Sequence, residues 1–368
     1  MNRNTLAVGL AIAVLTAAVP AGAQFLAADL LYVPGVAHTD GEEGSQWRSD
    51  LYITNVEDDA DVDIAIVYIR TGLVSNSQEF VDRSTWIGGT DGEGFGQVDP
   101  ALANIPPGGT VVLKDPIGTF WPNEQGTANF GALVIFAYES GTLEDDGTRV
   151  YENVIVNTRV YTPKTFYEPD PDNEGEFLEV KGTYGQTLPG VPWYNLADPS
   201  AVSDEGDFSF QILSGAQADE EFRYNVGILN ASDPLTSITL VIQPFQGNGE
   251  PILDANENPI LRPVTMPPSS HVQYNNAMST LFGLDDVPAD TTIDISFVSW
   301  SSANSMPVVG MTVYGTMIDN KTNDSTAILP AFAFPYNIEC QWPSSSGKKT
   351  YTGGIRRVSD RPLEIPPR

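Results

Sequence analysis

Trp47-Arg48-Ser49-Asp50-Leu51-Tyr52-Ile53-Thr54-Asn55 returns, without a gap, as Phe222-Arg223-Tyr224-Asn225-Val226-Gly227-Ile228-Leu229-Asn230. Both stretches read aromatic, Arg, any residue, Asp or Asn, then an alternating run that ends on Asn. A short polar turn follows each, Glu57 to Asp61 and Ser232 to Thr236, and then a β-branched run, Val62–Ile69 and Ser237–Ile242. Two extended runs joined by an Asn/Asp-rich turn make a β-hairpin. Repetition at this distance predicts two copies of one structural unit.

Working outward, Ile105-Pro106-Pro107-Gly108-Gly109-Thr110-Val111 matches Met266-Pro267-Pro268-Ser269-Ser270-His271-Val272. Leu31–Ala37, Thr187–Trp193 and Ile328–Phe334 share a third pattern around a proline, which places such a run at a sheet edge or bulge. The first two copies read as opening a repeat and the third as closing the array. Domain 1 is therefore expected over 25–185 and domain 2 over 186–336. Within them, apolar residues do not recur at the helical period between caps. Short β-rich runs appear instead at Gly131–Tyr138, Val154–Tyr161, Phe208–Leu213, Ile293–Trp300 and Val308–Met317, separated by Gly, Pro, Asn and Asp. This pattern predicts an all-β chain of two tandem antiparallel, Ig-like β-sandwiches, with a pair of small barrels as the alternative.

The chain has 368 residues, with 18 Lys and Arg against 48 Asp and Glu, two His and one Cys. Met1 to Ala23 has the charged start (Arg3), apolar stretch (Leu6–Val19) and Ala21-Gly22-Ala23 cleavage site of a signal peptide. The apolar stretch is too short to span a bilayer. Export is the expectation, to the periplasm, surface or medium. The strong negative charge argues against nucleic acid or an anionic membrane as partner. A single Cys, Cys340, excludes an intramolecular disulfide framework and a multi-Cys metal site. Residues 340–368 carry six cations and two acids, whereas residues 24–339 carry 11 and 46. That contrast marks 337–368 as a basic, Pro/Ser-rich tail, either inert or able to contact its own acidic body, a neighbour or an acidic polysaccharide.

The paired aromatic-Arg-x-Asp/Asn…Asn motif, the Pro-Pro turns and Tyr314-Gly315-Thr316-Met317-Ile318-Asp319-Asn320-Lys321-Thr322-Asn323-Asp324 resemble a group of uncharacterised secreted bacterial proteins. Such proteins carry one or more β-rich units behind a signal peptide, and the likeness covers roughly residues 30 to 336. The resemblance implies export and a sandwich-like fold, and it brings no activity or catalytic residue. Domain 1 departs from it, having Asn157-Thr158-Arg159-Val160-Tyr161 where domain 2 has the Asp-Asn-x-Thr stretch.

Candidate chemistry is sparse. Arg48 with Asp50, and Arg223 with Asn225, lie two residues apart and so on one strand face, where each pair could meet. Recurrence in both repeats favours a structural bridge over a ligand contact. Asn55 and Asn230 read as turn residues that hydrogen-bond the backbone or take positive φ. Glu57–Asp61 and Asp319–Asp324 are acidic turns. Asp170-Pro171-Asp172-Asn173-Glu174-Gly175 opens like a calcium loop, which makes Asp170, Asp172 and Glu174 the candidate ligands, but the twelfth position is Lys181 and not Glu. No nucleophile elbow occurs, and neither His38 nor His271 lies in a catalytic pattern. Trp86, Trp121, Trp193 and Trp300 are available to stack on sugars, although strand aromatics are more often core. The expected function is an exported, non-catalytic binding or structural surface module without a cofactor, its partner a polysaccharide or protein. The alternatives are a calcium-assisted carbohydrate-binding or adhesion protein and a secreted hydrolase using a carboxylate pair.

Overall fold

The computed structural model describes residues 26–41, 45–72, 80, 82–90, 94–122, 129–142, 149–169, 177–199 and 210–330. The candidate calcium loop (Asp170, Asp172, Glu174), Cys340, the expected signal peptide (1–23) and the stretch expected as a basic tail (337–368) lie outside these residues. In chain order the first strands are β1 (Leu30–Ala37), β2 (Thr39–Asp40), β3 (Gln46–Asn55), β4 (Val62–Arg70), β5 (Ile87–Gly88), β6 (Gln97–Val98) and β7 (Thr110–Lys114). A short helix α1 (Pro116–Phe120) precedes β8 (Phe130–Glu139), β9 (Val154–Pro169), β10 (Phe177–Pro189) and β11 (Val191–Pro192). The second half carries β12 (Phe210–Ser214), β13 (Phe222–Asn230), β14 (Thr236–Phe245), β15 (Arg262–Met266), β16 (His271–Tyr274), β17 (Thr292–Ser302), β18 (Met311–Asp319) and β19 (Ser325–Ile328).

These strands form four sheets. One runs β11-β1-β8-β4-β5-β6; a second runs β10-β9-β3-β2, with β7 also on β3. Leu51, Ile53, Leu113 and Val156 of the second sheet pack with Leu31, Ile64, Ile66 and Ile135 of the first in one buried cluster. The third and fourth sheets run β12-β17-β14-β15 and β16-β13-β18-β19. Tyr224, Val226 and Val313 there bury against Leu213, Leu240 and Ile293. The chain is thus all-β, built from two face-to-face pairs of sheets. Every strand pairing is antiparallel except the short β5–β6 contact. The sheets end in edge strands, so the barrel alternative does not hold.

The repeat seen in sequence is a repeat of pairings. Thr54 faces Thr110 as Leu229 faces His271, and Arg48 faces Tyr161 as Arg223 faces Ile318. Ala28 bridges Val154 as Ala197 bridges Met311. The Thr187–Trp193 stretch differs from its expected role of opening the second unit. Thr187-Leu188-Pro189 ends β10, and Val191-Pro192 pairs with β1, so this stretch closes the first pair of sheets. β10 also runs through residues 185 and 186, where the two domains were expected to divide.

The two halves share a buried contact. Leu229 and Ala231 join the first core, and the Tyr32 hydroxyl donates to the Ala231 carbonyl at 3.4 Å. Tyr314 packs with Ala37, Val160 and Leu188. Its ring passes so close to Gly227 that a Cβ there would lie 1.9 Å from a ring carbon. His271 stacks on Tyr314 with ring centroids 6.1 Å apart, and its Nδ1 meets the Thr71 hydroxyl of the other half.

Candidate functional site

The repeated motif is brought together by the fold, but not in the expected pairs. Asp50 is buried and ion-pairs with Lys114 Nζ at 2.7 Å, while its other oxygen accepts from the Asp115 backbone N–H at 3.3 Å. Arg48 does not meet Asp50. Its guanidinium donates to the Trp47 carbonyl at 2.7 Å, and its Nε lies 3.8 Å from Asp115. In the second half Asn225 Oδ1 accepts from the Asn276 backbone N–H at 2.9 Å, while Arg223 donates to Asn320 and Asn323 at 2.8 and 2.9 Å. Asp115 and Asn276 stand in equivalent places, and both are left-handed, with φ of 44° and 47°. A left-handed turn aims its N–H back at the strand, and the Asp or Asn of the motif receives it. The motif therefore anchors the turn that leads into α1 and into its counterpart, Met278–Phe282.

Asn55 and Asn230 are latches. Asn55 Nδ2 donates to the carbonyls of Ala60 and Ile105, both at 2.8 Å, and its Oδ1 accepts from Glu57 N–H at 2.9 Å. Asn230 makes the same three bonds, to Thr236 and Pro267 and from Ser232. Each thereby fastens its hairpin to the Pro-Pro turn. Neither asparagine has positive φ; the hydrogen-bonding half of the sequence expectation is the one realised.

Around the first motif the polar groups are charged where the second half uses amides. His38 Nδ1 lies 2.7 Å from Asp115 Oδ2. The His38 ring fits there because residue 118 is Gly, whose Cβ would stand 2.2 Å from Nδ1. The hydrogen bond and charge of Asp50 raise the Lys114 pKa. Burial, then the charges of Asp50 and Asp115, raises that of Tyr161. This His–Asp contact was not visible in sequence, since 77 residues separate the two.

Carboxylates of the acidic turns are occupied by hydrogen-bond donors of the chain itself. Asp319 accepts from the N–H groups of Thr322 and Lys321, which hold its carboxyl below the usual range. Glu57 Oε1 accepts from Asn153 N and Nδ2 at 2.8 and 2.7 Å. Beside it, burial and the charges of Glu57 and Glu139 push the Glu152 carboxyl up to about 7. Among the described residues, no group of three or more His, Cys, Asp or Glu is arranged to hold a metal.

The four tryptophans separate clearly. Trp86 is fully buried between Phe80 and Phe136. Trp193 is buried, its Nε1 donating to Asp29 at 3.1 Å. Trp121 packs on Tyr68 and donates to the Thr85 carbonyl at 2.8 Å. Trp300 on β17 is 44% exposed. Val298, Leu235 and Met306 are also exposed, and the ends of β14 and β17 are joined by Ala303 N–H to Leu235 O and by Thr236 Oγ1 to Ser302 Oγ. A register shift in the β14–β17 pairing, between Thr239 and Leu240, leaves Val298 without a facing residue.

No family model matches the chain, and no curated protein or solved structure matches it either.

Proposed function

We propose that this chain is an exported, non-catalytic binding module of Ig-like sandwiches, which recognises a polysaccharide or protein at the cell surface through the exposed Trp300. The observation that carries the reading is an exposed indole near the end of β17, with the exposed Val298 two residues before it on the same strand. An exposed ring with apolar neighbours is suited to stacking on a sugar face or to anchoring a partner. The rest of the motif chemistry is spent on scaffold, which is what a rigid support for a recognition surface requires. Depletion from solution by insoluble chitin, cellulose and peptidoglycan, with Trp300→Ala beside the parent protein, tests the reading. Retention by at least one of these, reduced about tenfold or more in the variant, supports it; equal behaviour of the two proteins on every matrix overturns it. Export is tested by N-terminal sequencing of the secreted protein, with Gln24 expected first.

A second reading, a secreted hydrolase, draws on Glu152, whose carboxyl is pushed up to about 7 by burial and by the charges of Glu57 and Glu139. Release of reducing ends from soluble glycans, abolished in Glu152→Gln, is its signature.

A further inference from the structure

β9 leaves the body of its sheet partway along. Its pairing with β3 ends at Tyr161 opposite Arg48, whereas β10 follows β9 without a register shift from Pro189 opposite Asn157 to Phe177 opposite Pro169. Thr162 still accepts the Gln46 N–H of β3, and residues 163–169 and 177–183 form a two-stranded ribbon beyond it. A two-stranded ribbon alone is marginal in water, yet this one presents Tyr167, Phe177, Leu178 and Val180 to solvent, at 70, 64, 46 and 36% exposure. β10 is also the terminal strand of its sheet, so one row of its backbone N–H and C=O groups has no strand partner among the described residues. Edges like this are normally blunted by proline, bulges or charge. From Phe177 to Leu188 there is no proline and no bulge; the only charges are Glu179 and Lys181.

Those two charges do not block a second copy of the same strand. We propose that the ribbon is a homotypic docking surface, at which two copies of this chain pair their β10 strands antiparallel about a twofold axis at Val180. In that register Glu179 lies opposite Lys181 of the partner subunit, and Lys181 opposite Glu179 of the partner subunit. Leu178 lies opposite Gly182 and Phe177 opposite Thr183, so these two large side chains each meet a small neighbour, while Val180 lies opposite Val180 of the partner subunit. The pairing is self-complementary, as an isologous contact must be. It extends a two-stranded ribbon into a four-stranded one and gives the free edge its hydrogen bonds.

Sedimentation velocity on the mature full chain, over a concentration series at physiological salt, tests this. The parent protein is expected to dimerise. Lys181→Glu sets Glu against Glu twice, and Glu179→Lys sets Lys against Lys twice; each should weaken the dimer about tenfold. The double exchange, Glu179→Lys with Lys181→Glu, restores opposite charges and should return the constant to within about threefold of the parent. Thermal melts verify that all variants fold, as expected for exposed positions. A parent chain that stays monomeric throughout overturns the proposal. So does a dimer that ignores both single exchanges, or a folded double exchange that fails to recover.

Discussion

At the residue scale the most consequential side chains are the least exposed polar ones. Asn55 and Asn230 each satisfy three backbone groups in places water does not reach. Replacing either by Ala removes three hydrogen bonds to the backbone, although the Ile105 carbonyl keeps the Val62 N–H and the Pro267 carbonyl keeps the Ser270 hydroxyl, and about 3 kcal/mol of unfolding free energy should be lost. Urea unfolding of Asn55→Ala and Asn230→Ala measures it; a conservative Asn→Asp change should also destabilise, since it replaces two donors by acceptors. Glu152 works in the opposite sense. Its folded pKa of about 7 lies above the ordinary carboxylate range, so its charged form is disfavoured by folding. The cost is fully present above pH 7 and disappears as pH falls toward 4.5. Glu152→Gln should therefore raise the melting temperature at pH 8 and have no effect at pH 4, with the size moderated because the group is only partly buried.

At the element scale β3 and β13 organise each half, since each is a central strand whose first residues anchor a left-handed turn and whose last residue is a latch. Gly227 on β13 shows how tightly the neighbouring strand is packed. Gly227→Ala would drive a methyl group into the Tyr314 ring. A ring held by Ala37, Val160 and Leu188 has little room to retreat, and a loss of about 2 kcal/mol or more is expected by chemical denaturation. The strand runs at 131–138, 154–161, 293–300 and 308–317 were legible because β-branched residues alternate between turn residues. The outer part of β9 and most of β10 were not read as strands, because prolines, lysines and glutamates interrupt the apolar pattern there and no core faces them. The available signal was the hairpin layout itself, two extended runs on either side of a Gly-containing acidic turn.

At the scale of the whole molecule the contact between the two halves passes through His271. Burial pulls its pKa down to about 3, only partly countered by the Pro34 backbone. Around it stand Thr71, Pro34 and Tyr314, and the Tyr314 phenol is itself pushed above its ordinary value by burial. The folded state keeps His271 neutral while the unfolded chain protonates it below about 6.5, so its contribution is intact above that pH and is lost as the medium is acidified toward 3. The slope approaches about 1.4 kcal/mol per pH unit for this one group. A His271→Gln variant should show a flatter decline in melting temperature between pH 6 and pH 4 than the parent, whatever its stability at pH 7.

The all-β class and the twofold repetition are legible in the chain alone, because strand periodicity and turn residues are local and the repeated motif needs only to be aligned. The residue types of the motif are legible there too. Only the tertiary structure decided that Arg48 reaches Asp115 and not Asp50, that Trp300 alone among the four tryptophans considered is markedly exposed, and that Thr187–Pro192 closes the first pair of sheets. Each of these depends on which strand lies beside which, and that choice is made by burial between segments far apart in the chain, where no local pattern records it.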